Sequence, residues 1–502
     1  MPTPPHPEDQ TVKRSGFAIG MRFTSAIALV LALTAAGCMS LAPPYQRPAL
    51  PVPDAWPADA PADSTTSTPQ IDWRSYFPDA RLQVLIDQAL AHNRDQRIAV
   101  QRVEEARASY GIRRADAFPT IAAGGAYAHF RAPGVLLPTG TIEGNVYQVG
   151  LTESNWELDF WGRVRSLKDA ALEQFLASDA SRRAVTISLI ANVADNYLVL
   201  REFDERIALA QATIASRAES LRIFRRRYEV GAISRLDLRQ SEILLQQAQT
   251  LMAQLEQSRA AAAHALDLLV GAPSTVLPEP LDDTSVRPEL RVGLPSALLE
   301  QRPDIVAAEH QLRAANANIS AARAAFFPRV TLTGTVGMVS TDLQNLFASG
   351  SGAWIFTPNV SLPIFDAGRT RSNLELALAR QSEAVAQYEK TIQQAFRDVA
   401  DALSARQWLA DQVRTERDTL AAQSERARLV ALRYDSGATP FMEVLDAQRD
   451  LLNAQQQLVQ TRRALLASRV ALYAALGGGV PDTMQTPPPS SGDSTQKQDP
   501  LP

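Results

Sequence analysis

The second half of this 502-residue chain repeats the first at an offset of 206 residues, and no other feature limits its possible folds as much. Tyr228, Gly231 and Gly271 recur as Tyr434, Gly437 and Gly477, and Val193-Ala194-Asp195 recurs as Val399-Ala400-Asp401. Upstream, Gly162-Arg163 and Arg165 return as Gly368-Arg369 and Arg371, while Phe118-Pro119 returns as Phe327-Pro328 with the offset drifting to 209. A spacing this long lies outside the roughly 20–50-residue periods of solenoids. It describes a half-molecule built twice, and the parts of each half define what is built.

Each half carries an unbroken helical stretch. From Arg163 to Val230 and from Arg369 to Ser436 there is neither Gly nor Pro, which at 1.5 Å per residue permits a helix of roughly 100 Å. Soluble helices average about a dozen residues, so a compact core is not what stabilises these. Val193, Leu200, Ile207, Ile214, Leu221 and Tyr228 fall every seven residues, the repeat of a left-handed coiled coil. Gly231 and Gly437 then end these helices in tight turns. Returning helices are predicted over 234–269 and 440–476, with Pro440 suited to a first helical turn.

Shorter helices are predicted over 80–116 and 296–325, each closed by an aromatic-Pro boundary. Beyond Pro328, Val330, Leu332, Val336 and Met338 alternate with Thr331, Thr333 and Thr335, the period of a strand. Trp354, Phe356, Val360, Leu362 and Ile364 alternate with Thr357, Asn359 and Ser361, although Pro358 interrupts the apolar register. In the first half, Ile121 to Phe130 and Tyr147, Val149 and Leu151 are the counterparts. A phase slip to Trp156, Leu158 and Phe160 predicts a bulge near Ser154-Asn155. Hairpins are thus expected at about 118–160 and 328–365, four strands in all. Four strands cannot close a transmembrane barrel, because the smallest need about eight and an open edge is not tolerated in lipid. If they span a membrane, several chains must share one barrel.

The N-terminus carries an export signal. Met21-Arg22, a mostly apolar run from Phe23 to Ala36, and Ala35-Ala36-Gly37 precede Cys38, the only cysteine. The arrangement resembles a bacterial lipobox, so residues 1–37 are expected to be a signal peptide, with translation starting at Met1 or Met21, and Cys38 a lipidated N-terminus. Residues 38–70, rich in Pro, Ala, Asp and Thr, read as a tether, and 481–502 as a disordered tail. A lone cysteine excludes an intrachain disulfide and a cysteine-based zinc cluster. The five histidines have no ligand spacing, no metal or cofactor is expected, and no catalytic constellation stands out. A net charge of −4 gives no footprint for nucleic acid.

With these parts in hand, the chain resembles the TolC-type outer-membrane factors, in the OprM/NodT lipoprotein branch. The match rests on Ala42-Pro43-Pro44-Tyr45-Gln46-Arg47-Pro48, on Gln301-Arg302-Pro303-Asp304-Ile305-Val306-Ala307-Ala308-Glu309, on Phe326-Phe327-Pro328 and on Val444-Leu445-Asp446-Ala447-Gln448. The resemblance implies a mainly α protein with a β-barrel part: a homotrimer with a twelve-stranded outer-membrane barrel continuous with a twelve-helix periplasmic barrel. It divides the chain into a first repeat over 71–273 and a second over 274–480. It also implies a periplasmic adaptor and an inner-membrane pump of the resistance-nodulation-division class as partners, and outer-membrane lipid around the barrel. The expected activity is passive export of drugs or other small molecules, in a Gram-negative outer membrane. A protein-secretion or metal-efflux duct and a non-conducting envelope tether are the other readings.

The family closes its channel at the periplasmic helix turns. By position after the turn glycines, Asp237 and Glu443 correspond, Asp446 lies one turn beyond Glu443, and Tyr434 with its partner Tyr228 precedes the glycines. A ring of such carboxylates would favour cations. Thr439 stands where the family's best-known member has a basic partner, leaving Arg235 or Arg239 as candidate substitutes. Asp237 and Glu443 also suit helix N-termini for purely structural reasons. Arg225-Arg226-Arg227 is either an adaptor contact or a solvated face.

Overall fold

The computed structural model of the chain describes residues 44–56, 72–133, 142–287 and 302–479. The expected signal segment, Cys38 and the C-terminal tail from 480 lie outside them. The elements are α1 (Trp73–Tyr76), α2 (Ala80–His92), α3 (Arg94–Ala115), β1 (Ile121–Ala132), β2 (Ile142–Glu157), α4 (Arg163–Glu229), α5 (Arg235–Val270), α6 (Pro303–Ala324), β3 (Arg329–Ser340), β4 (Gly352–Ser361), α7 (Arg369–Asp435) and α8 (Phe441–Ala475). Both long helices, α4 and α7, run for 67 residues. The chain divides into two compact units. One holds the residues up to Pro48 with Val103–Ala177 and Ala308–Tyr388; the other holds Ala49–Arg102, Ser178–Ala307 and the residues from Glu389.

The first unit is organised by one antiparallel sheet in the order β1-β2-β3-β4. Its register places Tyr127 opposite Tyr147, Leu151 opposite Val336, Val336 opposite Trp354, and Gly334 opposite Phe356. One face therefore carries Ile121, Tyr127, Leu151, Val336, Trp354, Phe356 and Val360, all exposed. Threonines 152, 331, 333, 335 and 357, with Asn359 and Ser361, occupy the other face, alongside a few apolar residues such as Ile355. A row of large apolar side chains left in the open is the signature of a lipid-facing surface. Among the described residues no helix is long and apolar enough to cross a membrane. Pro358 extends the apolar face, opposite Leu332, on a strand that among the described residues pairs only with β3. A proline is tolerated at such an edge.

The register of β2 slips between Glu153 and Trp156, with Asn155 at φ 60°, so the bulge lies where the phase change predicted it. Below the sheet, Glu157 receives two hydrogen bonds from Arg163, at 2.8 and 2.6 Å, and pairs with Arg329 at 2.6 Å. Trp161 stacks on Phe327 and donates to the Pro328 carbonyl. The two long helices start alike. Asp159 accepts from the amides of Val164 and Arg165, and Asp366 from those of Gly368 and Thr370, so each satisfies amides that a helix start leaves free. In the same unit the segment at Tyr45 and Arg47 is fastened to α6. The Tyr45 hydroxyl and Arg47 both donate to Glu309, which also accepts from Arg313.

The second unit is a set of helical hairpins with charged side chains inside it. Tyr76 stacks on Tyr473 and donates to the Arg469 carbonyl. Tyr197 donates to Asp79 and accepts from Arg201; burial, reinforced by the Asp79 hydrogen bond, pushes its hydroxyl up to about 12. Arg302 binds Asp304, Asp398 and the Ala475 carbonyl, fixing the start of α6, where Pro303 takes the first position.

Two sequence expectations change. The helix predicted over 80–116 breaks at Asn93, whose extended backbone separates α2 from α3. Its side chain accepts from the Gln96 amide and donates to the Leu269 carbonyl. These tertiary bonds override the local helical pattern. In the second half α6 begins at Pro303, and the predicted residues 296–301 lie outside the described ones. On α4, burial fades along the predicted heptad: Val193 and Leu200 are buried and Tyr228 is exposed. Three residues on, Ala210, Arg217 and Phe224 are buried, completing an a/d seam.

Candidate functional site

The helix turns after α4 and α7 have one backbone. Gly231 and Gly437 have φ 76° and 78°, and a Cβ at either would meet nothing within 4 Å, so glycine is required for its conformation and not for space. At the first turn, Gly231 donates to the Tyr228 carbonyl and Ala232 to that of Arg227. At the second, Gly437 donates to Tyr434 and Ala438 to Arg433. This pair of bonds is the Schellman ending, which satisfies the last carbonyls of a helix.

The side chains around the two turns differ. Ser234 and Asp237 form a reciprocal capping box at the start of α5: Asp237 accepts from the Ser234 amide and hydroxyl, and the Asp237 amide donates to the Ser234 hydroxyl. Asp237 is therefore committed to its own helix end. α8 starts after Pro440, which offers no side-chain cap. Its anchor is Phe441, whose ring lies 3.9 Å from that of Phe224 and 5.2 Å from that of Tyr434. Phe224 is the last buried residue of α4. The Tyr434 hydroxyl accepts from Arg227 at 2.9 Å.

Glu443 and Asp446 lie on α8 just beyond Phe441, with their side chains 48% and 40% exposed. Arg433 approaches Glu443 at 3.9 Å, and Arg449 pairs with Asp446 at 3.0 Å. The cations beside these acids therefore belong to the second hairpin. Arg239, one of the two substitutes expected from sequence, pairs with Glu242 on its own helix. Thr439 is buried with its hydroxyl unpartnered, so this position faces inward and not toward a carboxylate. Tyr228 is exposed, unlike its counterpart Tyr434. Of the arginine run, Arg226 pairs with Glu229 and Arg227 holds Tyr434.

Further from the turns the two helices of each hairpin are also linked. Arg217 donates to the Leu244 carbonyl at 2.6 Å, and burial lowers its affinity for a proton. Arg426 binds Asp450 at 2.7 Å and holds that carboxyl below its usual range. Sequence reasoning missed Phe224 and Phe441. The available signal was the failure of the repeat: Val430 and Arg235 stand at the equivalent positions.

A sheet with an apolar outer face, its two edges unpaired among the described residues, joined by chain to paired long helices, defines a class: an outer-membrane channel protein. Comparison with known proteins places it further. The outer membrane efflux protein family matches residues 85–272 and 294–478, and the chain belongs to that family. It is 41% identical over 456 residues to outer membrane protein OprJ of Pseudomonas aeruginosa, covering 90% of this chain and 95% of OprJ. It is 42% identical over 470 residues to the solvent efflux pump outer membrane protein SrpC of Pseudomonas putida, covering 91% and 99%. The open-state structure of the MtrE outer membrane channel of Neisseria gonorrhoeae superposes with a TM-score of 0.79 at 38% identity, covering 88% of this chain and 98% of that one. The protein is an outer-membrane efflux protein.

Proposed function

We propose that three copies of this chain close one twelve-stranded barrel in the outer membrane, continued into the periplasm by twelve helices, and that the trimer is the exit duct of a tripartite pump. One observation carries the reading: a four-stranded sheet with an exposed apolar face, whose β1 and β4 edges have no partner strand among the described residues. Such edges in lipid leave amide groups without partners, which costs several kcal/mol per group. Neighbouring copies remove that cost by pairing β4 of one with β1 of the next. In this reading the repeats 71–273 and 274–480 arose by duplication, residues 1–37 are a signal peptide, and lipid on Cys38 supplements the barrel as anchor.

The names of the relatives support small-molecule export: SrpC is called a solvent efflux pump protein, and this chain takes the same class of apolar or amphipathic cargo. Transport is driven by an inner-membrane resistance-nodulation-division pump through a periplasmic adaptor. The duct is closed at its helix turns by Glu443 and Asp446, with Tyr434 bracing them. Asp237 and Tyr228 contribute less, since Asp237 serves a cap and Tyr228 is exposed. Arg433 and Arg449 temper the charge of the acids.

Single-channel recording in planar bilayers tests this. Wild type is expected to give a small conductance, and Glu443→Ala/Asp446→Ala a much larger one. Silence from both proteins after verified insertion would overturn the channel reading and favour a structural lipoprotein.

A further inference from the structure

We propose that Phe441, clasped against Phe224 and Tyr434, is the positioning residue that seats Glu443 and Asp446. The inference rests on the gate reading above and adds to it a part that touches no solute. The turn after α4 closes on itself through the Ser234–Asp237 capping box. The turn after α7 has no such device, because Pro440 caps nothing with its side chain and the Thr439 hydroxyl is unpartnered. What fixes the first turn of α8 is instead the seat of Phe441, 3.9 Å from Phe224.

Helical geometry transmits that seat to the acids. Phe441, Val444 and Leu445 share one face of α8, and the latter two are buried. Glu443 and Asp446 lie on the adjoining face, so a rotation or shift of the helix start displaces both carboxylates together. The polar link nearby is the weaker hold. Arg227 is exposed where it donates to Tyr434, and an exposed bond exchanges readily with water. Phe224, by contrast, is only 4% exposed, so parting the rings would uncover apolar surface. Opening of the second hairpin away from the first then requires Phe441 to leave Phe224. The clasp sets how firmly the acids are held at rest.

The test is bilayer conductance of full-length trimers, with trimer mass and heat-modifiable mobility as assembly controls. Phe441→Ala is expected to raise conductance several-fold, Phe441→Leu to stay near wild type, and Met442→Ala, an exposed neighbour, to change nothing. Added to Glu443→Ala/Asp446→Ala, Phe441→Ala is expected to give no further rise, because a residue acting through the acids has no effect once they are gone. A wild-type conductance in Phe441→Ala beside a raised one in the acid pair would overturn the clasp and leave the gate reading standing. A raised conductance in Phe441→Ala beside an unchanged acid pair would overturn the gate reading, and with it any action of Phe441 through those acids. If Phe441→Ala fails to assemble, Phe224→Ala removes the other ring and decides by the same criteria.

Discussion

Replacing Gly337 by alanine should cripple the sheet, whereas the same change at Gly124 should not. Gly337 and Gly150 face each other across β2 and β3. A Cβ on Gly337 would lie 2.2 Å from the Val149 carbonyl oxygen, and one on Gly150 2.5 Å from that of Val336. Ordinary contact for such a pair begins near 3.4 Å, so the strands would have to separate by roughly an ångström. Such a separation stretches about two ladder hydrogen bonds beyond useful length, at about 1 kcal/mol each, on top of about 1–3 kcal/mol for overpacking. The expected loss is about 3–5 kcal/mol per chain, felt three times in the proposed trimer. A Cβ on Gly124, by contrast, would meet nothing within 4 Å. The assay is the fraction of detergent-solubilised protein running as heat-modifiable trimer, followed by its urea midpoint from tryptophan emission. Gly337→Ala should lose most of the trimer and Gly124→Ala should match wild type. Equal behaviour of the two variants would refute the close-approach argument, since both remove one glycine from the same sheet.

Glu309 gives a pH-dependent fastening of the Tyr45–Arg47 segment. Burial by itself would raise its carboxyl, but hydrogen bonds from Arg47 and Arg313 outweigh that and lower it. A depressed folded value contributes stability above the unfolded value and loses it as pH falls through the folded one. A nitroxide at position 46 should therefore be immobile from neutral pH down to about 4 and become mobile only below that; mobility already at neutral pH would contradict the fastening. Thr439→Val should leave the second turn as stable or stabilise it by up to about 1 kcal/mol, because a buried hydroxyl without a partner is replaced by a methyl group. A thermal midpoint clearly below wild type would mean that the hydroxyl has a partner in the assembled protein.

Much of the architecture was legible because it rests on backbone-level constraints. The absence of Gly and Pro from 163–230 and 369–436 set the extent of α4 and α7. Alternation set the strand faces, and the phase slip at Ser154-Asn155 located the bulge. The break at Asn93 was not legible, since it depends on a carbonyl 176 residues away. The surroundings of the acids were only half legible. Position after the turn glycine located Asp237 and Glu443, but sequence cannot distinguish a carboxylate that caps its own helix from one left on an open face. Ser234, three residues before Asp237, was the available clue, and Pro440 at the same distance from Glu443 was its contrast.

That contrast explains how two similar halves take different parts in one device. Both turns keep what the backbone demands: a glycine at positive φ and the same pair of carbonyl bonds. Both long helices begin under an aspartate that satisfies their first amides. Where the backbone makes no demand, the halves part. Ser234 corresponds to Pro440 and Arg235 to Phe441, exchanging a capping hydroxyl for a ring, and a cation for an apolar anchor. A capping box ties a helix only to its own start. A ring seated on another hairpin ties two helices together and can be unseated without breaking either one. The first turn is thus self-contained, while the second depends on its neighbour, and a turn of the second kind is what the proposed gate requires: carboxylates held in one place at rest and released as a unit.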